Sequence, residues 1–329
     1  MRAGISGLGT AVPAQRLTNA DLETRVETSD NWIVERTGIR ERRIARSDET
    51  TASLAIEAGT SAIKHAGIPP DAVDLLVVAT ATPEQPIPHT GAFVGDGLGL
   101  RCGSFDLQAG CAGFVYMLVV GSSLLMSAEL DHVLLIGSET LSRVVDPQDR
   151  GTCILFGDGA AGVVLGRAPG ERGVLGWDLG CDGSATGLLG IPAGGSRMPA
   201  TPETIAAGDQ YLKMQGQEVF RRAVRAVVDS AFATLERAGV AASDVDWFVP
   251  HQANLRIIES AAHRLGFPPE KTIVNIDRFG NTSAASIPLA LAEAHEDGRL
   301  SPDDLVLLSG FGAGMTWGST LVRWGSLSA

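Results

Sequence analysis

Aromatic residues make up only 5% of the 329 residues. A core built on large rings is excluded, and the 40 glycines point instead to close backbone packing and tight turns. Cysteine is scarce as well: Cys102, Cys111, Cys153 and Cys181 are the four present, and no two form a C-x-x-C pair. Zinc knuckles, thioredoxin-like sites and a disulfide-stapled small domain are therefore not expected. Positive charge is in deficit. With 26 Lys and Arg against 38 Asp and Glu, the formal net charge is −12, which argues against general nucleic-acid binding. The opening residues lack an apolar signal core. The longest apolar stretch, near residues 114–126, is broken by Gly121 and two serines and reads as too short to span a bilayer. The expectation is a cytoplasmic protein with no membrane partner.

What is present suits a large buried core: 44% of residues are hydrophobic and 19% charged. Apolar runs rich in Val, Ile and Leu alternate with amphipathic stretches. Residues 73–81, 132–139, 246–252 and 304–312 read as buried strands. Residues 51–67 and 216–239 read as helices, each ending at a glycine suited to the position just past the last turn. The alternation predicts an α/β fold with helices covering mixed sheets.

The chain also repeats itself. "HAGIPPDAVDLLVVA" (65–79) parallels "RAGVAASDVDWFVPH" (237–251), with Gly67 against Gly239 at an offset of 172. "FDLQAGCAG" sets Gly110-Cys111 against Gly280-Asn281 in "IDRFGNTSA" at an offset of 170. "VLLIG" (133–137) and "VLLSG" (306–310) match at an offset of 173. Three matches in one order predict two similar halves, with Cys111 and Asn281 in equivalent places, each at the mouth of a helix.

Cys111 precedes an apolar segment, 112–130, that reads as a buried helix. A thiol at a helix N-terminus feels free N–H groups and the positive end of the dipole, which is expected to lower its pKa from about 8.5. The local sequence equally admits a small buried hydrophobe. The other three cysteines lack this setting. His251, in "VPHQANLRI", stands at a strand end, where α/β folds place ligand sites; a capping or surface histidine has the same local pattern. His65, His89, His132, His263 and His295 lie on helices or in charged loops. Asn281 reads as a helix cap, and its match to Cys111 adds a catalytic reading. "GFGAGMTWGS" (310–319) has neither a Walker lysine nor G-x-G-x-x-G, so it is weak evidence for a phosphate site. It suits an oxyanion hole made of backbone N–H groups.

Along almost its whole length the chain resembles the β-ketoacyl-acyl-carrier-protein synthase III family of the thiolase superfamily. The resemblance rests on "TSDNWIVERTGIRERRIA" (28–45), "AGCAGF" (109–114), "DRGTCILFGDGAA" (149–161), "VPHQANLRI" (249–257), "GNTSAASIPLA" (280–290) and "GFGAGMTWGS". It implies a thiolase-like fold in five layers, α-β-α-β-α, with a nucleophile-bearing half over 1–170 and a half carrying His and Asn over 171–329. It further implies a homodimer that condenses a short acyl-CoA with malonyl-acyl carrier protein, without metal or redox cofactor. The implied catalytic residues are Cys111, His251 and Asn281, with the N–H groups of Cys111 and Ala313 as oxyanion hole. Many relatives have glycine where Ala313 stands, and a backbone donor survives that change. Trp32 and Arg36 are implied around the CoA adenine, with Thr28 and Arg150 nearby and Asn254 along the pantetheine tunnel. Ile87, from the dimer partner, together with Leu141, Phe156 and Leu189, is implied to line the acyl pocket. Arg221, Arg256 and Arg264 match positions that dock the acidic carrier. A priming ketosynthase of a polyketide pathway and a non-decarboxylating acyltransferase are the alternatives on the same fold.

Overall fold

The structure, a computed structural model, describes residues 1–128 and 130–325. Two mixed sheets are each built from chain segments of the same kind. The first contains β1 (Arg2–Ala11), β2 (Leu75–Ala79), β3 (Gly103–Leu107), β4 (Val133–Thr140) and β5 (Asp158–Ala168), in the order β1-β5-β4-β2-β3. The second contains β6 (Gly173–Cys181), β7 (Trp247–Pro250), β8 (Leu305–Gly312) and β9 (Thr316–Arg323), in the order β6-β9-β8-β7. Read from β1 and from β6, both sheets run antiparallel, antiparallel, then parallel. The place of β3 is taken in the second sheet by a single parallel bridge, Phe248 to Thr272.

The repeat is carried by matched local devices. Helices α1 (Asp30–Thr37), α2 (Thr51–Ala66), α3 (Thr90–Gly97), α4 (Gly113–Ser127), α5 (Gly216–Ala238), α6 (Leu255–Leu265) and α7 (Ser286–Glu296) are the longer ones. α2 ends at Gly67 and α5 at Gly239, with φ of 69° and 66°; the left-handed turn needs a residue without Cβ. Each is followed by a 3-10 turn and a Val-Asp pair whose aspartate N–H donates into the neighbouring strand, Asp74 to His132 O and Asp246 to Leu305 O.

α4 and α7 lie between the sheets. α2 and α3 cover the outside of the first, α5 and α6 the second half, which makes the five layers α-β-α-β-α. The central layer is dry: Phe114, Met117, Leu118, Leu135, Ile287, Leu291, Val306 and Leu308 form one buried cluster. Truncating one of the large side chains there to alanine would cost about 2–5 kcal/mol. α4 is shorter than the 112–130 read from sequence. An 18-residue stretch from Gly110 to Ser127 is long and apolar enough to cross a bilayer, contrary to the expectation from its Gly and Ser. Its apolarity has another use here, since the middle layer faces a sheet on either side.

Candidate active site

A cavity of about 730 Å³ opens beside the C-terminal ends of β7 and β8 and has Cys111, His251 and Asn281 among its lining residues. They arrive from three directions. Cys111 sits two residues before α4, after Gly110 at φ 51°. A Cβ on Gly110 would come within 2.8 Å of the Ala313 nitrogen, so glycine there lets the 312–314 turn close over the cysteine. The N–H of Ala313 is thereby held beside Cys111, although Ala313 is not among the cavity-lining residues.

The expected low-pKa thiolate is corrected by the structure. Cys111 is half-buried at the cavity floor, and desolvation pushes its thiol up to about 12, with the buried Glu139 carboxyl adding to the rise. Desolvation of a thiolate outweighs the helix dipole, whose effect is a fraction of a kcal/mol to about 2 kcal/mol. At rest Cys111 is therefore a thiol.

His251 follows β7, and its N–H donates to Ser309 O at 2.8 Å, which pins it to β8. Its Nδ1 lies 2.6 Å from Ser286 Oγ at the start of α7. Ser286 Oγ also accepts the Gln252 N–H at 3.3 Å; with the hydroxyl proton turned to Nδ1, the imidazole proton stands on Nε2. Nε2 is buried and has no hydrogen-bond partner among the described residues. Burial lowers the His251 pKa to about 3, so the ring is neutral. Phe311 packs against it at 5.5 Å, ring edge to face.

Asn281 is held by its backbone. Its N–H donates to Leu155 O at 2.9 Å and its carbonyl accepts the Gly157 N–H at 3.0 Å. Its side-chain Oδ1 accepts the Ser283 N–H at 2.8 Å, which fixes the amide with Nδ2 as the free donor. The residue is not directly at a helix mouth as the repeat suggested: a 3-10 turn, Ser283–Ala285, separates it from α7.

At the cavity entrance Trp32 and Arg36 line the wall on α1. The Arg150 and Arg36 guanidinium groups lie 4.9 and 5.4 Å from the Trp32 ring centroid. Arg150 lies outside the cavity lining and donates to Glu27 O at 2.8 Å. Thr28, just before α1, also lies outside the lining, with its hydroxyl buried and unpartnered among the described residues. Asn254 caps α6 through Oδ1 and donates through Nδ2 to Arg36 O at 3.0 Å, tying α6 to α1.

Of the four residues expected around the acyl group, Phe156 and Leu189 line the cavity. Leu141 does not: it is 3% exposed and packs in the core that backs the wall. Ile87 is 85% exposed on a loop and lies outside this protomer's cavity. Arg221 and Arg256 stand at the mouth, Arg221 paired with Glu218 and Arg256 stacked 5.7 Å from the Phe220 ring. Arg264 is exposed near the far end of α6, away from the cavity. Residues that the sequence reading passed over include Ser286, Phe311, Ile154, Leu155, Val219 and Ile257. Phe311 and Ser286 stood inside quoted motifs, yet only a fold that juxtaposes them with His251 shows their use.

A cysteine, a neutral imidazole with an unpartnered ring nitrogen and a fixed amide donor facing one cavity, on a five-layered repeat of two sheets, define a condensing enzyme of the thiolase fold. Residues 105–183 match the 3-oxoacyl-[acyl-carrier-protein] synthase III family model and residues 235–324 its C-terminal counterpart. The beta-ketoacyl-[acyl-carrier-protein] synthase III of Symbiobacterium thermophilum is 50% identical over 323 residues, covering 98% of each chain. The solved structure of 3-oxoacyl-[acyl-carrier-protein] synthase III from Aquifex aeolicus is 41% identical with a TM-score of 0.91, covering 98% of this chain and 100% of that one. A priming beta-ketosynthase of the R1128 polyketide biosynthetic pathway is 34% identical with a TM-score of 0.92, covering 99% and 97%. The chain belongs to the 3-oxoacyl-[acyl-carrier-protein] synthase III family.

Proposed function

We propose that the chain joins a short acyl-CoA to malonyl-acyl carrier protein, releasing CoA and CO2 and giving 3-oxoacyl-carrier, the first condensation of fatty-acid synthesis. The observation that carries this is the buried, unpartnered Nε2 of His251 facing the same cavity as Asn281 and Cys111. A buried donor without an acceptor is costly, and an oxygen of the substrate would relieve it.

In the first half-reaction Cys111 Sγ attacks the thioester carbonyl, the C–S bond to CoA breaks, and the thiol proton ends on the departing CoA sulfur. The N–H groups of Cys111 and Ala313 donate to the developing oxyanion. In the second, malonyl-carrier loses CO2 and its thioester becomes an enolate. His251 Nε2–H and Asn281 Nδ2–H donate to the enolate oxygen, and its carbon attacks the acyl-cysteine. Expulsion of the Cys111 thiolate, which takes up a proton, restores the resting thiol. A neutral imidazole suits this work, because it donates a hydrogen bond without adding a charge to a dry site.

Trp32 offers a flat face and Arg36 and Arg150 offer cations for the adenine and phosphates of CoA, and Asn254 lies along the way to the sulfur. Arg221, Arg256 and Arg264 are the proposed contacts for the acidic carrier, the local exception to a net charge of −12. The exposed Ile87 fits a homodimer in which it enters the partner's acyl pocket beside Phe156 and Leu189, and its size favours starters larger or more branched than a phenylalanine would admit. No metal or redox cofactor has a part in these steps, and the protein is placed in the cytoplasm. The likeness to a priming ketosynthase supports a second reading, the same chemistry at the head of a polyketide pathway.

Incubation with labelled acyl-CoA and malonyl-carrier tests the reading. Release of CO2 with formation of 3-oxoacyl-carrier is expected. Acylation of Cys111 with no CO2 would overturn it in favour of simple acyl transfer.

A further inference from the structure

Thr316 opens β9 and pairs with Gly312 across the hairpin that closes β8. Its hydroxyl lies 2.7 Å from Ala109 O and 3.1 Å from Ala313 O. A hydroxyl has one proton to donate, so that proton bridges the two carbonyls and favours the nearer. Ala109 stands two residues before Cys111, in the other half of the molecule and 207 residues from Thr316 in the chain.

The hairpin turn has little restraint of its own. Ala313 has a glycine on each side, and Gly314 has φ of 131°, which a side chain rarely adopts. Yet the turn is pressed hard on the cysteine. A Cβ at Gly312 would stand 2.4 Å from the Cys111 nitrogen, and one at Gly110 would stand 2.8 Å from the Ala313 nitrogen. The Ala313 N–H has no backbone acceptor among the described residues. Thr316 is absent from the cavity lining, so any effect on the chemistry passes through the turn.

We propose that Thr316 is a positioning residue for acylation. Its hydroxyl clamps the 312–314 turn to the Cys111 corner. The Ala313 and Cys111 N–H groups are thereby brought to one point, the place of the acyl carbonyl oxygen. Donors of this kind work within about 2.7–3.1 Å of the forming oxyanion, which leaves a glycine-flanked turn little slack. Thr316 touches no reacting atom and gives up no proton.

The clamp rests on acylation at Cys111, as proposed above, and the experiment separates the two. Single-turnover acylation is followed by intact mass against acyl-CoA concentration in the wild type, Thr316→Val, Thr316→Ala and Thr316→Ser. Valine keeps the branched shape that suits a strand and lacks the hydroxyl. Ala109 O still accepts the Ala112 N–H at 3.2 Å, so it is not orphaned by the change. Thermal melting reports folding, and either folded hydroxyl-free variant decides. Its limiting rate should fall by at least about tenfold, part of the roughly 10²–10³-fold lost with a whole oxyanion donor. The half-saturating acyl-CoA concentration should stay within about twofold, since the interaction belongs to the transition state. Thr316→Ser should return the rate to within about threefold of the wild type. A folded variant at the wild-type rate overturns the clamp. A serine variant as slow as valine does so too, because the methyl group and not the hydroxyl would then matter. A change confined to half-saturation would make Thr316 a substrate-binding residue, and unfolding of both hydroxyl-free variants would make it a purely structural one. No acyl adduct in the wild type overturns the Cys111 assignment itself, and the clamp with it.

Discussion

The corner that holds Cys111 and the corner that holds Asn281 start from one plan and end differently. Each follows a glycine with positive φ, Gly110 at 51° and Gly280 at 64°. Each is pressed against a strand glycine of the other sheet: Gly310 on β8 lies under Ala112, and Gly137 on β4 lies under Ala284. A Cβ at Gly137 would sit 2.4 Å from the Ala284 carbonyl, so the central layer could not close. Beyond this frame they part. α4 begins two residues after Cys111, which leaves a sulfur over the helix entrance. After Asn281 a 3-10 turn intervenes, its Ser283 N–H locks the amide, and α7 starts only at Ser286. One frame therefore presents a nucleophile from one half and hydrogen-bond donors from the other. The two half-reactions should be separable by mutation along the same line.

The largest effect belongs to the first corner. Cys111→Ala should leave no acyl adduct by intact mass and reduce turnover by about 10⁴-fold or more. Asn281→Ala comes next. It should acylate at the wild-type rate but lose about 10²–10³-fold in CO2 release from the acyl-enzyme, the usual loss for one oxyanion donor. Equal loss in both steps would dissolve the separation between corners. A third test uses pH. An unfolded histidine titrates near 6.5, while folded His251 stays neutral to about 3. Between these values the unfolded chain binds the extra proton, so folded-state stability falls as pH falls, by up to about 1.4 kcal/mol per unit. His251→Gln should flatten that acid slope in chemical denaturation; an unchanged slope would mean the imidazole is not desolvated.

The frame was largely legible in the sequence, and the electrostatics were not. Gly67 and Gly239 announced the repeat because a left-handed helix end selects glycine strongly, and the Val-Asp pair marks the same turn in both halves. Cys111, His251 and Asn281 could be named because they stand in ordered motifs, and the structure brings them to one cavity. The state of the Cys111 thiol could not be read. A helix entrance is a local feature, while the thiol's pKa depends on desolvation by the fold around it and on the charge of Glu139, distant in the chain. Leu141 failed for a related reason: an apolar residue in a motif looks the same whether it faces a cavity or the core behind it. Ser286 and Phe311 went unassigned because their contacts with His251 join segments 35 and 60 residues away.

The smallest expected effect is at Ser286, and it sharpens the comparison most. This residue belongs to α7, yet it acts on a histidine at the end of β7 through a 2.6 Å hydrogen bond to Nδ1. Removing the hydroxyl in Ser286→Ala leaves Nδ1 and the Gln252 N–H without their shared partner and costs about 1–3 kcal/mol of stability. The ring then loses its preference for a proton on Nε2. A preference worth one ordinary hydrogen bond, about 1–1.5 kcal/mol, amounts to roughly tenfold. Decarboxylation on the acyl-enzyme should therefore slow by about tenfold, while acylation of Cys111, which uses the other corner, stays within about twofold. Single-turnover CoA release and CO2 release, measured on the same protein, give the two rates. Slowing of both by the same factor would show that Ser286 supports the cavity as a whole rather than the orientation of one imidazole.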